Sequence, residues 1–211
     1  FNDVTKTIDG ETYATVVQDT ASDELKANFT KFLQFLNTST DDDFKAHLGD
    51  YIDVKSVINT YLWGFMSQMW DFDAKSMILL TWNSGKSFYM IPYDMDSTWG
   101  LHFDGAYIKD EDGWKFSPDA TRLVSTNALY KRLRKLFLNE IKDQYHYLRT
   151  TVWNNSQLIT AFKRYIDNIP KEVYEREQAL WPAIPSKDIT NFSQIQSNII
   201  KRMNAMHVFM K

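Results

Sequence analysis

Two apolar runs separated by a short polar turn constrain the fold of this chain more than any other feature. The runs are SMILLTW and SFYMIPY, and the turn between them is Asn83–Lys86. Apolar runs of strand length that flank a Gly-containing turn are typical of a β-hairpin. We therefore predict two antiparallel strands in which the numbers of facing residues sum to about 169. This register places Ser76 opposite Tyr93 and Lys75 opposite Asp94.

Four aspartates lie at the two ends of the predicted hairpin. Asp71 and Asp73 precede the first strand, and Asp94 and Asp96 follow the second. With a rise of about 3.3 Å per residue, antiparallel pairing brings these carboxylates into a site on the order of 10 Å across. Crowded carboxylates either keep a proton or bind a cation, and oxygen ligands alone favour Mg²⁺, Mn²⁺ or Ca²⁺. The hairpin is therefore predicted to hold a metal ion.

A purely structural role for these aspartates stays open, because Asp is also common at turns and strand ends. The acidic run Asp41–Asp43 fits the N-terminus of a helix, where negative charge is stabilising. His102 follows Asp94 and Asp96 in the sequence and is a weaker site candidate. Three tryptophans in apolar stretches are predicted to lie in the core: Trp63, Trp70 and Trp82. Two others are candidate aromatic residues of the site: Trp99 and Trp114.

The rest of the chain predicts mainly α-helices. The segment Val54–Trp70, which begins after Asp53, is apolar nearly all round, so we expect a central, buried helix. Ser22 is a candidate N-cap, and Ser193 with Gln196 forms a capping-box pattern. Further helical segments are expected from residues 127 to 149 and after residue 156, with an interruption at Pro170. A polar surface segment with a second small hairpin is expected from residues 101 to 119.

These elements predict an α+β fold that is mostly helical, with a buried antiparallel β-hairpin and long C-terminal helices in a single domain over residues 1–211. With 44% hydrophobic residues among 211, the chain can build a packed core. Its formal net charge of −3 gives no attraction to nucleic acid or anionic membranes. It has no cysteine, which excludes disulfides and thiol catalysis. No apolar run approaches the about 20 residues of a membrane span, so neither nucleic acid nor membrane is an expected partner.

Three stretches of the chain match one known pattern. The most specific is PYDMDSTWG, from Pro92 to Gly100, which is similar to a PxDxDxxxG element. Asp71 precedes the hairpin, and Ser76 stands five residues later, where the pattern has Asn. The third stretch is the helical tail NALYKRLRKLFLNEIKDQYHYLRTTVW, followed by EVYEREQALW. Together they resemble the CotH kinase family, the spore coat protein H type of atypical kinase-like phosphotransferases, over roughly residues 20–210.

The resemblance implies the C-terminal lobe of an atypical protein kinase. Asp71 is then the catalytic Asp that accepts or orients the substrate hydroxyl, and Ser76, Asp94 and Asp96 occupy the metal-binding positions. Asp73 fits less well, because the residue five positions later is Ile78, inside an apolar strand. The implied cofactors are Mg²⁺ or Mn²⁺ and ATP, and the implied partner is a protein with Ser or Thr residues. A bacterial surface, coat or secreted location is expected rather than the cytoplasm.

Two departures from the family pattern leave a second interpretation open. Serine at position 76 lacks the carbonyl oxygen that Asn would offer a metal. The seven glycines do not cluster into a phosphate-binding loop, so we expect that ATP binding requires an N-terminal lobe located before Phe1. The alternative is a non-catalytic CotH-like binding or structural module of a surface, coat or phage-tail protein. A carboxylate-pair glycosidase is a third possibility that rests on the aspartates alone.

Overall fold

The computed structural model describes residues 6–8, 11–13, 21–69, 72, 76–95, 98–102, 106, 127–182 and 192–211. Within these residues the strands are β1 Lys6–Ile8, β2 Glu11–Tyr13, β3 Met77–Leu80 and β4 Tyr89–Pro92. The helices there are α1 Asp23–Thr38, α2 Asp41–Tyr51, α3 Val54–Ser67, α4 Ala128–Leu136, α5 Leu138–Thr151, α6 Asn155–Asp167, α7 Lys171–Leu180 and α8 Ser193–Phe209. The predicted α+β class with mostly helical content is confirmed.

The first three helices begin where the sequence places a capping side chain. The Ser22 hydroxyl accepts a hydrogen bond from the Leu25 amide at 3.2 Å, and the Asp53 carboxylate accepts one from the Ser56 amide at 2.6 Å. At α2 the cap is Thr40, so the acidic run Asp41–Asp43 occupies the first turn as predicted. These caps satisfy amides that have no partner within the helix, which explains the sharp helix starts.

Helix α3 is the centre of the core, as predicted. Ten of its 14 residues are buried, and it packs against β4, α5 and α8. The helix ends three residues earlier than predicted, because Gln68 takes a left-handed conformation with φ 55° and caps the last turn. This cap turns the chain away from the helix axis immediately before the acidic segment.

The hairpin register is the predicted one. Met77 faces Pro92 and Leu80 faces Tyr89, and both pairs sum to 169. The loop is longer than the predicted turn, since the strands stop at Leu80 and restart at Tyr89. Within the loop, Thr81 Oγ1 accepts a hydrogen bond from the Gly85 amide at 3.0 Å, and Gly85 has a φ of 77°. Side-chain hydrogen bonds therefore replace the last strand pairs.

One face of the hairpin lies on α3. Met90 is 2% exposed, its amide donates to Ser56 Oγ at 3.0 Å, and its carbonyl accepts from Thr60 Oγ1 at 3.2 Å. The opposite face is open, with Leu80 and Tyr89 partly exposed. Trp82 is 75% exposed, so its predicted place in the core is wrong. The reason is that the apolar run outlasts the strand, and Trp82 lies in the loop.

The C-terminal helices differ from the prediction at two points. The predicted continuous helix breaks at Phe137 into α4 and α5, although Phe137 is itself buried. The N-cap of α8 is Phe192 and Ser193 is already helical, so the predicted capping box with Ser193 as the cap is wrong. The interruption at Pro170 is confirmed between α6 and α7. Of the predicted second small hairpin, all but Ala106 lies outside the described residues.

None of the helices described combines the length and the apolar character that a membrane span requires.

Candidate functional site

Ser76 and Asp94 lie at the open end of the β3–β4 hairpin. The Tyr93 amide donates to the Ser76 carbonyl at 3.2 Å, which extends the predicted pairing one step beyond the strands. Ser76 is 2% exposed, whereas Asp94 is exposed and has a φ of 56°. Asp tolerates this left-handed conformation better than most residues do, because its short side chain bonds locally. The chain therefore turns at Asp94 and leaves its carboxylate accessible to solvent.

The other predicted acidic ligands fall outside the described residues: Asp71, Asp73 and Asp96. Their convergence on Asp94 stays a prediction. Among the residues that the structure does describe, no group of three or more His, Cys, Asp or Glu side chains is arranged to hold a metal ion.

Phe72, which stands between Asp71 and Asp73 in the sequence, is an anchor in the core. Its side chain is fully buried, and its ring lies 5.3 Å from that of Phe65 and 5.5 Å from that of Tyr130. The ring also lies on Gly64, where an added Cβ would be no more than 2.8 Å from three ring atoms. The lack of a side chain at Gly64 therefore makes room for Phe72.

Thr98 to Gly100 follow the second pair of aspartates, Asp94 and Asp96, in the sequence. The Thr98 hydroxyl donates to the Met95 carbonyl at 2.8 Å, and the Trp99 amide donates to the Ser67 carbonyl at 2.5 Å. The second bond joins this segment directly to the end of α3. The end of α3, which precedes Asp71, and the segment that follows Asp96 are therefore held side by side.

Trp99 is a core residue, so its prediction as a site aromatic is wrong. It is 5% exposed, and its ring meets those of Trp63 and Phe162 edge to face at 5.7 and 4.9 Å. Trp63 is half-buried and packs against the core as predicted. Trp70 and Trp114 lie outside the described residues. The local sequence gives no sign of the contact with Phe162, which comes from α6.

Shifted pKa values among the described residues occur away from the hairpin end. A hydrogen bond from Lys135 at 2.5 Å, with the nearby charge of Arg132, lowers the pKa of Asp41 below its ordinary value. Burial raises the pKa of Tyr145. Arg132 also donates to Ser39 Oγ at 2.8 Å and to the Thr40 carbonyl at 2.5 Å. This cluster joins α4 to the junction of α1 and α2, and its role is structural.

Sequence reasoning missed a row of polar side chains on α8. These side chains bind the end of α3, before Asp71, and Trp99, after Asp96: Gln194, Asn198 and Arg202. The only signal was their spacing of four residues, which puts them on one side of a helix. Such a row normally predicts a solvent-exposed face.

A family model described as CotH kinase protein matches residues 2–209. The chain belongs to the CotH kinase family. The match spans nearly the whole chain, so the resemblance found in the sequence is confirmed, and this CotH family chain is a kinase-like protein. A comparison with curated proteins found no match.

Proposed function

We propose that this CotH family chain holds the metal-binding and catalytic residues of a Ser/Thr protein kinase that uses ATP and Mg²⁺ or Mn²⁺. The observation that carries the proposal is the register of the hairpin. It puts Ser76 and Asp94 at one end of the sheet. A buried Phe72 supports the proposal further, because it ties the stretch around Asp71 to the same core.

The described residues fit a hard cation in donor type. Asp94 presents an exposed carboxylate, which Mg²⁺ and Mn²⁺ prefer to nitrogen or sulfur ligands. Ser76 is buried to 2% exposure and offers a hydroxyl where Asn would offer a carbonyl oxygen. Asp94 and Asp96 would therefore hold the metal, with Ser76 as the weaker third position. When bound, the ion would neutralise charge on the ATP phosphates.

The reaction transfers the γ-phosphoryl group of ATP to a Ser or Thr hydroxyl of a protein. The bond from the γ-phosphorus to the bridging oxygen breaks, a bond to the hydroxyl oxygen forms, and ADP leaves. In this proposal Asp71 orients the hydroxyl and accepts its proton. Catalysis of this kind depends mainly on positioning, so the buried ring of Phe72 has a direct use in fixing the backbone beside Asp71.

The open face of the hairpin, which runs from the loop to the end with Ser76 and Asp94, supports nucleotide binding. Tyr89 in β4 and Tyr93 directly after it are 38% and 58% exposed, whereas Met90 is buried. Leu80 pairs with Tyr89 on the same face. A flat apolar and aromatic surface suits a base ring, since most ligand pockets combine such surfaces with a few polar groups. We propose that a covering nucleotide lobe completes this site.

Phosphoryl transfer from γ-labelled ATP by the full-length protein tests the proposal. Wild type should label itself or a Ser/Thr-rich protein, and Asp71→Asn should abolish the label while leaving circular dichroism and melting unchanged. The matched control is Asp42→Asn, because Asp42 is an exposed aspartate in the first turn of α2. Its label should equal that of wild type.

The second candidate function is a non-catalytic CotH-like module of a surface, coat or phage-tail protein. The presence of Ser76 at the Asn position favours it, because the second metal site is then weakened. A folded full-length protein that shows neither transfer nor an ATP-dependent thermal shift would establish this candidate. A location at the bacterial surface, in a coat or outside the cell is proposed for either function.

A further inference from the structure

Three polar side chains on α8 donate hydrogen bonds to the end of α3 and to Trp99. Gln194 Nε2 donates to the Trp99 carbonyl at 2.9 Å, Asn198 Nδ2 donates to Gln68 Oε1 at 2.8 Å, and Arg202 Nε donates to the Phe65 carbonyl at 2.7 Å. They are spaced four residues apart, so they follow one side of the helix. We call these three residues the α8 polar row.

The acceptors of the α8 polar row belong to two separate segments. Phe65 and Gln68 lie at the end of α3, and Gln68 stands three residues before Asp71 in the sequence. Trp99 stands three residues after Asp96. One helix therefore binds both chain segments that lead to the proposed catalytic and metal-binding residues.

Asn198 occupies the central place in this arrangement. Besides its bond to Gln68, it lies against Gly100, where an added Cβ would come within 3.0 Å of Asn198 Cγ. Gly100 has a φ of 84°, which favours glycine. Asn198 therefore touches the end of α3 on one side and the chain after the acidic motif on the other.

The polar contacts of the α8 polar row reach buried groups, although Gln194 and Asn198 are themselves half-buried. Gln68 is fully buried and Arg202 is 4% exposed. Buried ion pairs can often be replaced by apolar residues at little cost, and in some proteins buried polar groups are retained because they fix one specific arrangement. The same helix already buries apolar side chains at Ile199, Met203 and Met206. Packing therefore does not require amides and a guanidinium at this place.

We propose that Asn198 is a positioning residue, which holds the segments leading to Asp71 and to Asp96 at a fixed separation. The proposal rests on the proposed function. Residues that orient metal ligands commonly change metal affinity by about 10- to 100-fold when they are lost. Misplacement of reacting groups by about 1 Å lowers catalytic rates by roughly 100-fold.

The test compares Asn198→Leu with wild type by Mn²⁺ titration monitored by electron paramagnetic resonance, and by kcat in the phosphoryl-transfer assay. Leucine keeps the approximate size of the side chain and removes its bond to Gln68. We expect Mn²⁺ affinity to fall about tenfold or more, and kcat to fall while KM for the protein substrate changes little.

The stability control is Ile199→Val, because Ile199 is fully buried on α8 and does not contact the two segments through hydrogen bonds. It should lower the melting temperature and leave Mn²⁺ affinity unchanged. If Asn198→Leu fails to fold, Asn198→Ala replaces it, because it also removes the bond to Gln68 and places no larger side chain against Gly100.

The outcomes separate the two proposals. Wild-type Mn²⁺ affinity and kcat in the folded variant would overturn the positioning role and leave the proposed function intact. An equal fall of Mn²⁺ affinity in Ile199→Val would also overturn it, since general destabilisation would then explain the effect. A wild-type protein that neither binds Mn²⁺ nor transfers phosphate would overturn the proposed function and, with it, the role of Asn198.

Discussion

Replacing Gly64 by Ala tests whether the ring of Phe72 packs on α3. A Cβ at position 64 would lie no more than 2.8 Å from three atoms of the Phe72 ring. Carbon atoms prefer separations of about 3.5–4.0 Å, so the ring would have to withdraw by roughly 1 Å. The ring is fully buried against Tyr61, Phe65 and Tyr130, and these rings leave it little room.

Two opposing terms set the magnitude. Overpacking of a well-packed core costs about 1–3 kcal/mol. Ala gains about 1 kcal/mol over Gly in the interior of a helix. The net expectation is a loss of up to about 2 kcal/mol in the free energy of unfolding, which for a chain of this size lowers the melting temperature by several degrees.

Urea unfolding and thermal melting measure this loss, and Gly49→Ala is the matched control. Gly49 lies on the exposed side of α2, and its added Cβ would meet only Val54 Cγ2 at 3.9 Å. That variant should be stabilised by about 0.5–1 kcal/mol, since only the helix preference changes. Equal stabilisation of both variants would refute the packing of Phe72 on Gly64.

Two further predictions concern stability. The pKa of Asp41 is lowered in the folded state, so its carboxylate stabilises the fold at neutral pH, and this contribution declines below pH 3.8 and is lost as the pH falls through the lowered pKa. Asp41→Asn should therefore melt below wild type at pH 7, and the difference should shrink as the pH is lowered below 3.8; a constant difference would contradict this. Trp82→Ser should barely change the melting temperature because Trp82 is 75% exposed, whereas Trp99→Ala should cost about 3–5 kcal/mol because Trp99 is buried; similar costs for both would contradict the assigned burial.

The register of the hairpin was predictable because strand side chains alternate strictly and the turn residues fix the centre of symmetry. Its loop length was not, since Thr81 and Asn83 accept hydrogen bonds from the amides of Gly85 and Ser87 inside the loop. The wrong prediction that Trp82 lies in the core followed from the wrong loop length. The pairing of the two strands can be read from the local sequence. Whether a side chain replaces a backbone partner in a hydrogen bond depends on the geometry of the turn.

The contacts between distant parts of the chain were the least predictable. The break at Phe137 comes in a continuous apolar stripe, because α4 and α5 pack on different partners. Trp99 was wrongly predicted as a site residue, and the α8 polar row was not predicted at all. Both failures have one reason. Their partners, Phe162, Gln68 and Phe65, are far away in sequence, and periodicity alone cannot identify them.

Titration calorimetry with Mn²⁺ on wild type and Asp94→Asn tests the central claim most directly. Asn adopts the left-handed conformation of position 94 at least as readily as Asp, so the variant should keep the backbone and lose only the charge. Asp42→Asn is again the control, with the same chemical change at an exposed helix start. We predict weak Mn²⁺ binding in wild type and the control, and markedly weaker binding in Asp94→Asn. Identical isotherms for all three proteins would contradict a metal site at the end of the hairpin.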